Sequence, residues 1–307
     1  MKHSRRARRS RTQKKQLVPM LLGIALLVVT LLSIFLIFLK QPSKQQSDSK
    51  ASTVETTASS SVMTSESSEV QTEIIWEQQT EPIKLPILMY HAIHVMAPEE
   101  EANANLIVDP TTFESHLKAL QDAGYYTLSP EEAYKVLTEN VLPAGKKVVW
   151  LTFDDSLWDF YSYAYPLLKQ YQMKATNNVI TGFTEYGQAG HLTLDQIKEM
   201  QTAGLSFQGH TVNHPDLEYS SIEDQTNELT SSKAYLDSQL NQETIAIAYP
   251  GGRYSADTVA LTEQAGYKLG MTTNNGLASA SDGLLTLNRV RILPTTTAEG
   301  LLSEISY

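Results

Sequence analysis

Short apolar runs alternate with amphipathic stretches from about residue 85 to residue 292, and this alternation restricts the possible folds more than any other feature. Runs rich in β-branched and aromatic residues, such as Lys147–Phe153, predict buried strands. The amphipathic stretches between them predict helices, so the segment consists of parallel βαβ units. Six or seven such units in about 225 residues favour a single (β/α) barrel over an open sheet.

Local signals predict where several helices begin and end. Asp109 and Pro110 open a helix that continues to Asp122. The segment Ser129-Pro130-Glu131-Glu132 is a capping box with proline at the first helical position, which predicts a second helix start. A further helix is predicted from Trp158 to Tyr171, after the strand Lys147–Phe153.

The N-terminal region predicts a membrane anchor. Residues 20–39 contain no charged residue, and a twenty-residue helix would span about 30 Å, the thickness of a bilayer core. Residues 1–40 carry nine Lys or Arg and no acid, so residues 1–19 are predicted to be a cytoplasmic tail. The alternative is a cleaved signal peptide. An uncleaved anchor is preferred, because the apolar run is long and has no A-x-A cleavage pattern.

The segment 40–82 is predicted to be a disordered linker, and 83–307 a folded extracellular domain. Residues 43–80 hold sixteen Ser or Thr among thirty-eight and few large apolar residues. Residues 81–307 carry 13 basic and 28 acidic residues, a charge of −15 that argues against nucleic acid as a partner. The chain has no Cys, which excludes disulfides and thiolate metal sites. We expect a monomer.

In a (β/α) barrel the chemistry lies at the C-terminal ends of the strands, and two predicted strands end in metal-binding residue types. Asp154 and Asp155 follow Lys147–Phe153 directly, and adjacent carboxylates are tolerated where a cation lies between them. His210 and His214 follow the predicted strand at residues 205–208. Two histidines and a carboxylate form a three-ligand set for a divalent metal. The alternatives are a helix-capping Asp and two unrelated surface histidines.

Three further groups end or line predicted strands. Residues 249–252 form a turn whose N–H groups can approach a ligand. His91 ends the first strand, with His94 as a competitor. Arg289 and Arg291 alternate along the last strand, and one of them could hold a carboxylate ionised. Three aromatic residues could offer flat faces to sugar rings, although each could equally be a packing residue: Trp158, Tyr161 and Tyr254.

Over residues 85–307 the chain resembles the polysaccharide deacetylases, the NodB-homology domain of carbohydrate esterase family 4. The opening Leu88-Met89-Tyr90-His91 is similar to the branch of extracellular poly-N-acetylglucosamine deacetylases. The matching motifs are, in order, Thr152-Phe153-Asp154-Asp155, His210-Thr211-x-x-His214 and Tyr249-Pro250-x-Gly252. The resemblance implies a distorted (β/α) barrel for this region, which would follow the transmembrane helix and the Ser/Thr-rich linker predicted above.

The resemblance also implies roles for these residues. Asp154 would be the general base, and the turn Tyr249-Pro250-Gly251-Gly252 would contact the substrate and the oxyanion. A divalent metal, most often zinc in this family, would be held by Asp155, His210 and His214.

Three positions depart from the family pattern. Ser156 replaces the usual Gly, Ala248 replaces an Arg that holds the base in many members, and the last strand lacks a Leu-x-His whose histidine is the acid. By similarity to the branch with an early Tyr-His, His91 takes the acid role. Arg289 or Arg291 would replace the missing Arg, and Arg291 is preferred.

The implied function is a membrane-anchored, extracellular, metal-dependent deacetylation of N-acetylglucosamine units in a Gram-positive cell-surface or cell-wall glycan. The products would be acetate and a free amine. Both peptidoglycan and β-1,6-linked poly-N-acetylglucosamine fit as substrates, and the early Tyr-His favours the second. The alternatives are an O-acetyl polysaccharide esterase with the same metal site and a catalytically inactive relative that binds the wall.

Overall fold

The computed structural model describes residues 74–306, which contain twelve strands and eight α-helices besides short 3-10 helices and one π-helical turn. The strands are β1 (Trp76–Gln78), β2 (Ile87–Tyr90), β3 (Ala92–Ile93), β4 (Ile107–Val108), β5 (Tyr125–Thr127), β6 (Val141–Pro143), β7 (Lys147–Phe153), β8 (Thr176–Val179), β9 (Ser206–Gly209), β10 (Ala246–Ala248), β11 (Leu269–Asn275) and β12 (Leu287–Arg291). The α-helices are α1 (Pro110–Asp122), α2 (Pro130–Glu139), α3 (Tyr165–Gln170), α4 (Thr181–Glu185), α5 (Leu194–Thr202), α6 (Ile222–Leu240), α7 (Ala256–Gln264) and α8 (Ala298–Ile305).

Seven of these strands close a parallel barrel, which confirms the predicted (β/α) barrel. The neighbours around it are β2, β7, β8, β9, β10, β11 and β12, and β12 pairs again with β2. The closure is distorted at β7. The first three residues of β7 pair with β5, while residues 150–153 pair with β2. One edge of β7 therefore serves two neighbours, one at each end of the barrel.

Alternation along the strands separates the barrel interior from the layer under the helices. Trp150 lies inside, fully buried, and its Nε1 donates to Oγ1 of Thr176, in the neighbouring strand β8, at 2.8 Å. Val149 and Leu151 point outward and pack under the helices with Leu117 and other apolar helical residues. Because strand side chains alternate between faces, β7 contributes to both layers and is almost entirely buried.

The two predicted helix starts are confirmed. Asp109 caps α1 by accepting a hydrogen bond from the Thr111 N–H at 2.8 Å. Ser129 and Glu132 form the predicted capping box of α2, because each side chain accepts from the other residue's N–H.

The predicted helix from Trp158 to Tyr171 is replaced by two shorter elements. A π-helical turn covers Phe160–Ala164, and α3 follows it directly. The N–H of Tyr165 donates to the Phe160 carbonyl, five residues back. Pro166 has no N–H, and its ring would collide with the carbonyl four residues earlier in a regular helix. The wider turn removes this conflict.

The folded domain begins earlier than residue 83. Strand β1 lies inside the predicted linker and pairs antiparallel with β6, and the Ala144 N–H donates to the Ile75 carbonyl. The last residues of the predicted linker, 74–82, therefore belong to the domain. The predicted cytoplasmic tail, the membrane span and most of the linker lie outside the described residues. Among the described helices none is long and apolar enough to cross a membrane.

Candidate active site

The residues with predicted catalytic or metal-binding roles meet at the C-terminal end of the barrel. Asp154 and Asp155 follow β7, His210 follows β9, and His91 follows β2. The Asp154 N–H donates to the Tyr90 carbonyl at 3.0 Å, which continues the pairing of β7 with β2 and places His91 beside Asp154. Parallel strands bring these residues, distant in the chain, to one rim.

Asp155, His210 and His214 form a cluster that can hold a metal ion. One ligand atom from each residue lies within 4.8 Å of the others. Oδ1 of Asp155 is 3.3 Å from His210 Nε2 and 3.5 Å from His214 Nε2. Two imidazole nitrogens and one carboxylate oxygen suit zinc and related divalent metals, and they leave coordination positions for water and substrate. The donor set therefore fits the predicted metal.

The orientation of the His210 ring suits it to bind a metal ion through Nε2. The ring is buried, and its Nδ1 lies 2.7 Å from the Ala248 carbonyl, so Nδ1 carries the proton and Nε2 faces Asp155. Burial would lower the pKa of His210, but Asp155 and Asp154 raise it above the usual value. Burial and the neighbouring His210 lower the pKa of His214. Burial opposes ionisation of Asp155, but the neighbouring His210 lowers its pKa overall.

Asp154 is a buried carboxylate paired with a buried guanidinium. Nη1 of Arg289 donates to Oδ1 at 2.9 Å and Nη2 donates to Oδ2 at 2.7 Å. Nε of the same arginine donates to the Thr272 carbonyl at 2.8 Å, which aims the guanidinium at Asp154. Burial by itself would raise the pKa of Asp154, but the charge of Arg289 holds it well below its usual range. Asp154 is therefore ionised, as a general base must be.

The preference for Arg291 as the partner of Asp154 is wrong, because Arg289 occupies that position. Arg289 is fully buried inside the barrel, whereas Arg291 lies at the end of β12 and is partly exposed. The long side chain of Arg289 reaches Asp154 from deeper in the barrel. Two residues further along, Arg291 has already reached the rim.

A second partner of Asp154 was not predicted. Asn178, in β8, donates from Nδ2 to Asp154 Oδ1 at 2.7 Å and is fully buried. Its sequence neighbours in Thr176–Val179 give no signal that distinguishes it from Asn177. Asn178 lies two positions after Thr176, which contacts Trp150 inside the barrel. Because alternate residues of a strand share one face, Asn178 also points into the barrel.

His91 faces the charged centre, and His94 does not. Burial lowers the pKa of His91, although Asp154 and Asp155 act in the opposite direction. His94 lies in a separate network, with Nδ1 2.6 Å from Asp159 Oδ2 and Nε2 3.1 Å from Glu100. Of the two histidines, His91 is therefore the one placed to exchange a proton near Asp154.

The third predicted motif divides between the core and the rim. Tyr249 is fully buried and its hydroxyl donates to the Leu285 carbonyl at 3.0 Å, so its side chain packs in the core and only its backbone belongs to the turn. Pro250 is buried as well. Gly251 is exposed, with φ of 59°, a conformation that favours glycine. Within the turn, the N–H groups of Tyr249 and Gly252 donate to protein carbonyls, and that of Gly251 remains available.

The backbone at Ser156 explains why glycine is usual there. Its φ is 48°, in the left-handed region that side chains adopt rarely. Ser156 is fully buried, and its Oγ accepts from the Ile180 N–H at 3.4 Å. This contact joins the loop after β7 to the end of β8, so the substitution keeps the loop in place.

Of the possible sugar platforms, only Trp158 presents a large free face. It is 44% exposed and stacks on His94, with ring centroids 6.1 Å apart. Tyr161 donates its hydroxyl to Glu199 at 2.8 Å, and Tyr254 stacks on the buried Tyr249. These two tyrosines therefore serve packing, while Trp158 remains available to a ligand.

Comparisons with known proteins agree with this geometry. A family model described as "Polysaccharide deacetylase" matches residues 141–270. The Bacillus subtilis protein YxkH, named for the same activity, is 38% identical over 219 residues, which cover 71% of this chain and 75% of that protein.

Two further relatives are similar to the chain in structure or in sequence. The Streptococcus pyogenes deacetylase PplD, solved in complex with acetate, superimposes with a TM-score of 0.72 and 62% identity, covering 74% of this chain and all of that one. A poly-β-1,6-N-acetyl-D-glucosamine N-deacetylase of Staphylococcus aureus is 38% identical over 115 residues, covering 35% of this chain and 38% of that protein.

Proposed function

The chain belongs to the polysaccharide deacetylase family, hydrolases that cleave the C–N bond of acetamide groups, and from this premise we propose that it removes acetyl groups from N-acetylglucosamine units with the help of a divalent metal. The observation that carries the proposal is the ionised base Asp154 beside the cluster of Asp155, His210 and His214. An inactive relative would have no need to keep both.

The chain's own residues supply the proton transfers. Asp154 accepts a proton from water as the water oxygen adds to the acetamide carbonyl carbon. The N–H of Gly251 donates to the oxygen that becomes negative. His91 gives a proton to the nitrogen as the C–N bond breaks, so the products are acetate and a free amine. A divalent metal, zinc in our proposal, would polarise the carbonyl and acidify the water when bound to the cluster.

The substrate is proposed to be a neutral glycan of the cell surface or cell wall. A charge of −15 on residues 81–307 disfavours anionic polymers and suits a product that becomes cationic. The S. aureus relative acts on poly-β-1,6-N-acetyl-D-glucosamine, which supports a β-1,6-linked substrate. Peptidoglycan is the second glycan to be tested.

We propose that residues 20–39 anchor the enzyme in the membrane and that the domain acts outside the cell as a monomer. The described chain supports this arrangement at its start. Ile75 and β1 lie beside the turn that precedes β7, whereas Asp154 lies at the other end of β7. The described chain therefore begins beside the end of β7 opposite to Asp154.

Acetate release by the purified protein tests the proposal. We expect release from N-acetylated β-1,6-linked oligosaccharides or from peptidoglycan, with loss of activity after chelation and recovery after zinc addition. Release from O-acetylated polymer alone would identify an esterase. No release from any of these substrates by metal-loaded protein would overturn the proposal.

A further inference from the structure

The loop that joins the two histidines of the metal cluster, residues 211–214, is held from outside by one carboxylate. Oε2 of Glu228 accepts hydrogen bonds from the N–H groups of Val212 at 2.7 Å and Asn213 at 2.9 Å. Oε1 accepts a third from the Asn213 side-chain amide at 2.7 Å. Glu228 belongs to α6, so both of its oxygens fasten the loop to a rigid helix.

The loop needs such support because its backbone is strained at both ends. Thr211 has φ of 65° and His214 has φ of 59°, in the left-handed region that β-branched and bulky residues rarely adopt. Such conformations persist only where the surroundings determine them. On the other side of the loop, the Gly182 N–H donates to the Val212 carbonyl at 2.9 Å. Glu228 therefore completes a clamp around Val212 and Asn213.

His214 depends on this loop more than His210 does. His210 is buried, and the Ala248 carbonyl fixes its ring. The His214 side chain is 38% exposed; its Nε2 lies 3.5 Å from Asp155 Oδ1, and its ring also interacts with the backbone of its own residue. The direction of its Nε2 is therefore set by the backbone conformation of the loop.

We propose that Glu228 is a positioning residue for the metal site, which keeps the loop in the conformation that aims His214 at Asp155 and His210. The inference rests on the proposed metal site and adds a residue that makes no contact with the ligands themselves. Loss of the clamp allows the strained loop to relax, so His214 is no longer held in place before the metal binds. Metal binding then has to order His214, which weakens the affinity. Partners that orient metal ligands typically change affinity by about 10–100-fold, and we expect an effect in that range.

Zinc affinity of the full chain in detergent, measured by chelator competition, tests the inference in Glu228→Gln and Glu228→Asp. The first removes the charge and one acceptor, and the second keeps the charge but is one methylene shorter. The matched control is Glu223→Gln, an exposed glutamate of the same helix. Amide hydrogen exchange of the metal-free proteins gives a second readout that requires no catalysis.

We expect weaker zinc binding by about tenfold or more and faster exchange confined to residues 211–214 in both Glu228 variants, with the control unchanged. Zinc affinity equal to that of the wild type in a folded Glu228 variant would overturn the inference, as would unchanged exchange in the loop. If Glu228→Gln does not fold, Glu228→Asp decides alone. Wild-type protein that binds zinc but releases no acetate would refute the proposed function and leave this result standing.

Discussion

Arg289 and Asp154 are 135 positions apart in the chain, yet they form a two-pronged ion pair inside the barrel, with N–O distances of 2.9 and 2.7 Å. Neither residue is appreciably exposed to solvent. A buried carboxylate without a partner would take up a proton. The pair therefore keeps the proposed base ionised in a position where burial alone would neutralise it.

Arg289→Met should move the acid limb of the kcat/KM profile to higher pH. Without the guanidinium, burial raises the pKa of Asp154. On lowering the pH, the base of the variant therefore takes up its proton at a higher pH than the base of the wild type does. The variant should also lose about 3–5 kcal/mol of stability at neutral pH, because one partner of a buried pair is removed. A pH–rate profile and thermal unfolding measure the two effects. Arg291→Met is the control, and a larger effect there would reinstate Arg291 as the partner of the base.

Asp155→Ala and His210→Ala should each abolish zinc retention and acetate release while the fold remains. Each removes one of three donors, and His210 is the one whose tautomer the Ala248 carbonyl fixes. Metal analysis of the purified variants, with circular dichroism for the fold, makes the measurement. His191→Ala removes a histidine outside the cluster and should leave the metal content unchanged. Full activity in either cluster variant would contradict the assignment.

His91→Gln should lower kcat by about 10²–10⁴-fold without changing zinc affinity, since a glutamine cannot deliver the proton to the leaving nitrogen. The group must hold its proton in the free enzyme, and burial lowers the pKa of His91. The kcat/KM of the wild type should therefore fall as the pH rises through a lowered histidine pKa, and this limb should disappear in the variant. A variant that keeps the same alkaline limb would exclude His91 as the acid.

Gly252→Ala should destabilise the domain more than Gly251→Ala. Both residues have positive φ, which costs about 1–2 kcal/mol for alanine. A Cβ on Gly252 would also lie 2.5 Å from the Thr273 backbone nitrogen, whereas a Cβ on Gly251 would meet nothing within 4 Å. We expect a further loss of about 1–3 kcal/mol from this overlap in denaturant unfolding. Equal stabilities of the two variants would show that the turn adjusts freely.

Trp158→Ala should raise KM for an oligosaccharide several-fold and leave kcat nearly unchanged, because an exposed ring that binds substrate and transition state equally contributes uniform binding. Steady-state kinetics on substrates of increasing length measures the effect. Ile75→Ala, an exposed apolar residue at the other end of the barrel, is the control. An unchanged KM would assign Trp158 to packing against His94 alone.

The amino-acid sequence determined the barrel and the location of the chemistry. Strand and helix periodicities are local properties, and Asp154, Asp155, His210 and His91 could be placed because each lies within two residues of the end of a predicted strand. Parallel strands then bring their ends to one rim whatever the details of packing. The same local reasoning missed the π-helical turn before Pro166, and it placed β1 in the linker because three residues carry too little pattern.

Tertiary structure alone decided which partners surround these residues. Arg289 and Arg291 are two positions apart and read alike in the sequence, but the depth of each in the barrel separates an interior ion pair from the rim. In the same way, Asn178 contacts Asp154 and Glu228 clamps the loop before His214, while Tyr249 is buried in the core. These outcomes depend on strand stagger and on how far a long side chain reaches. Both are set by contacts between segments far apart in the chain, which no local pattern encodes.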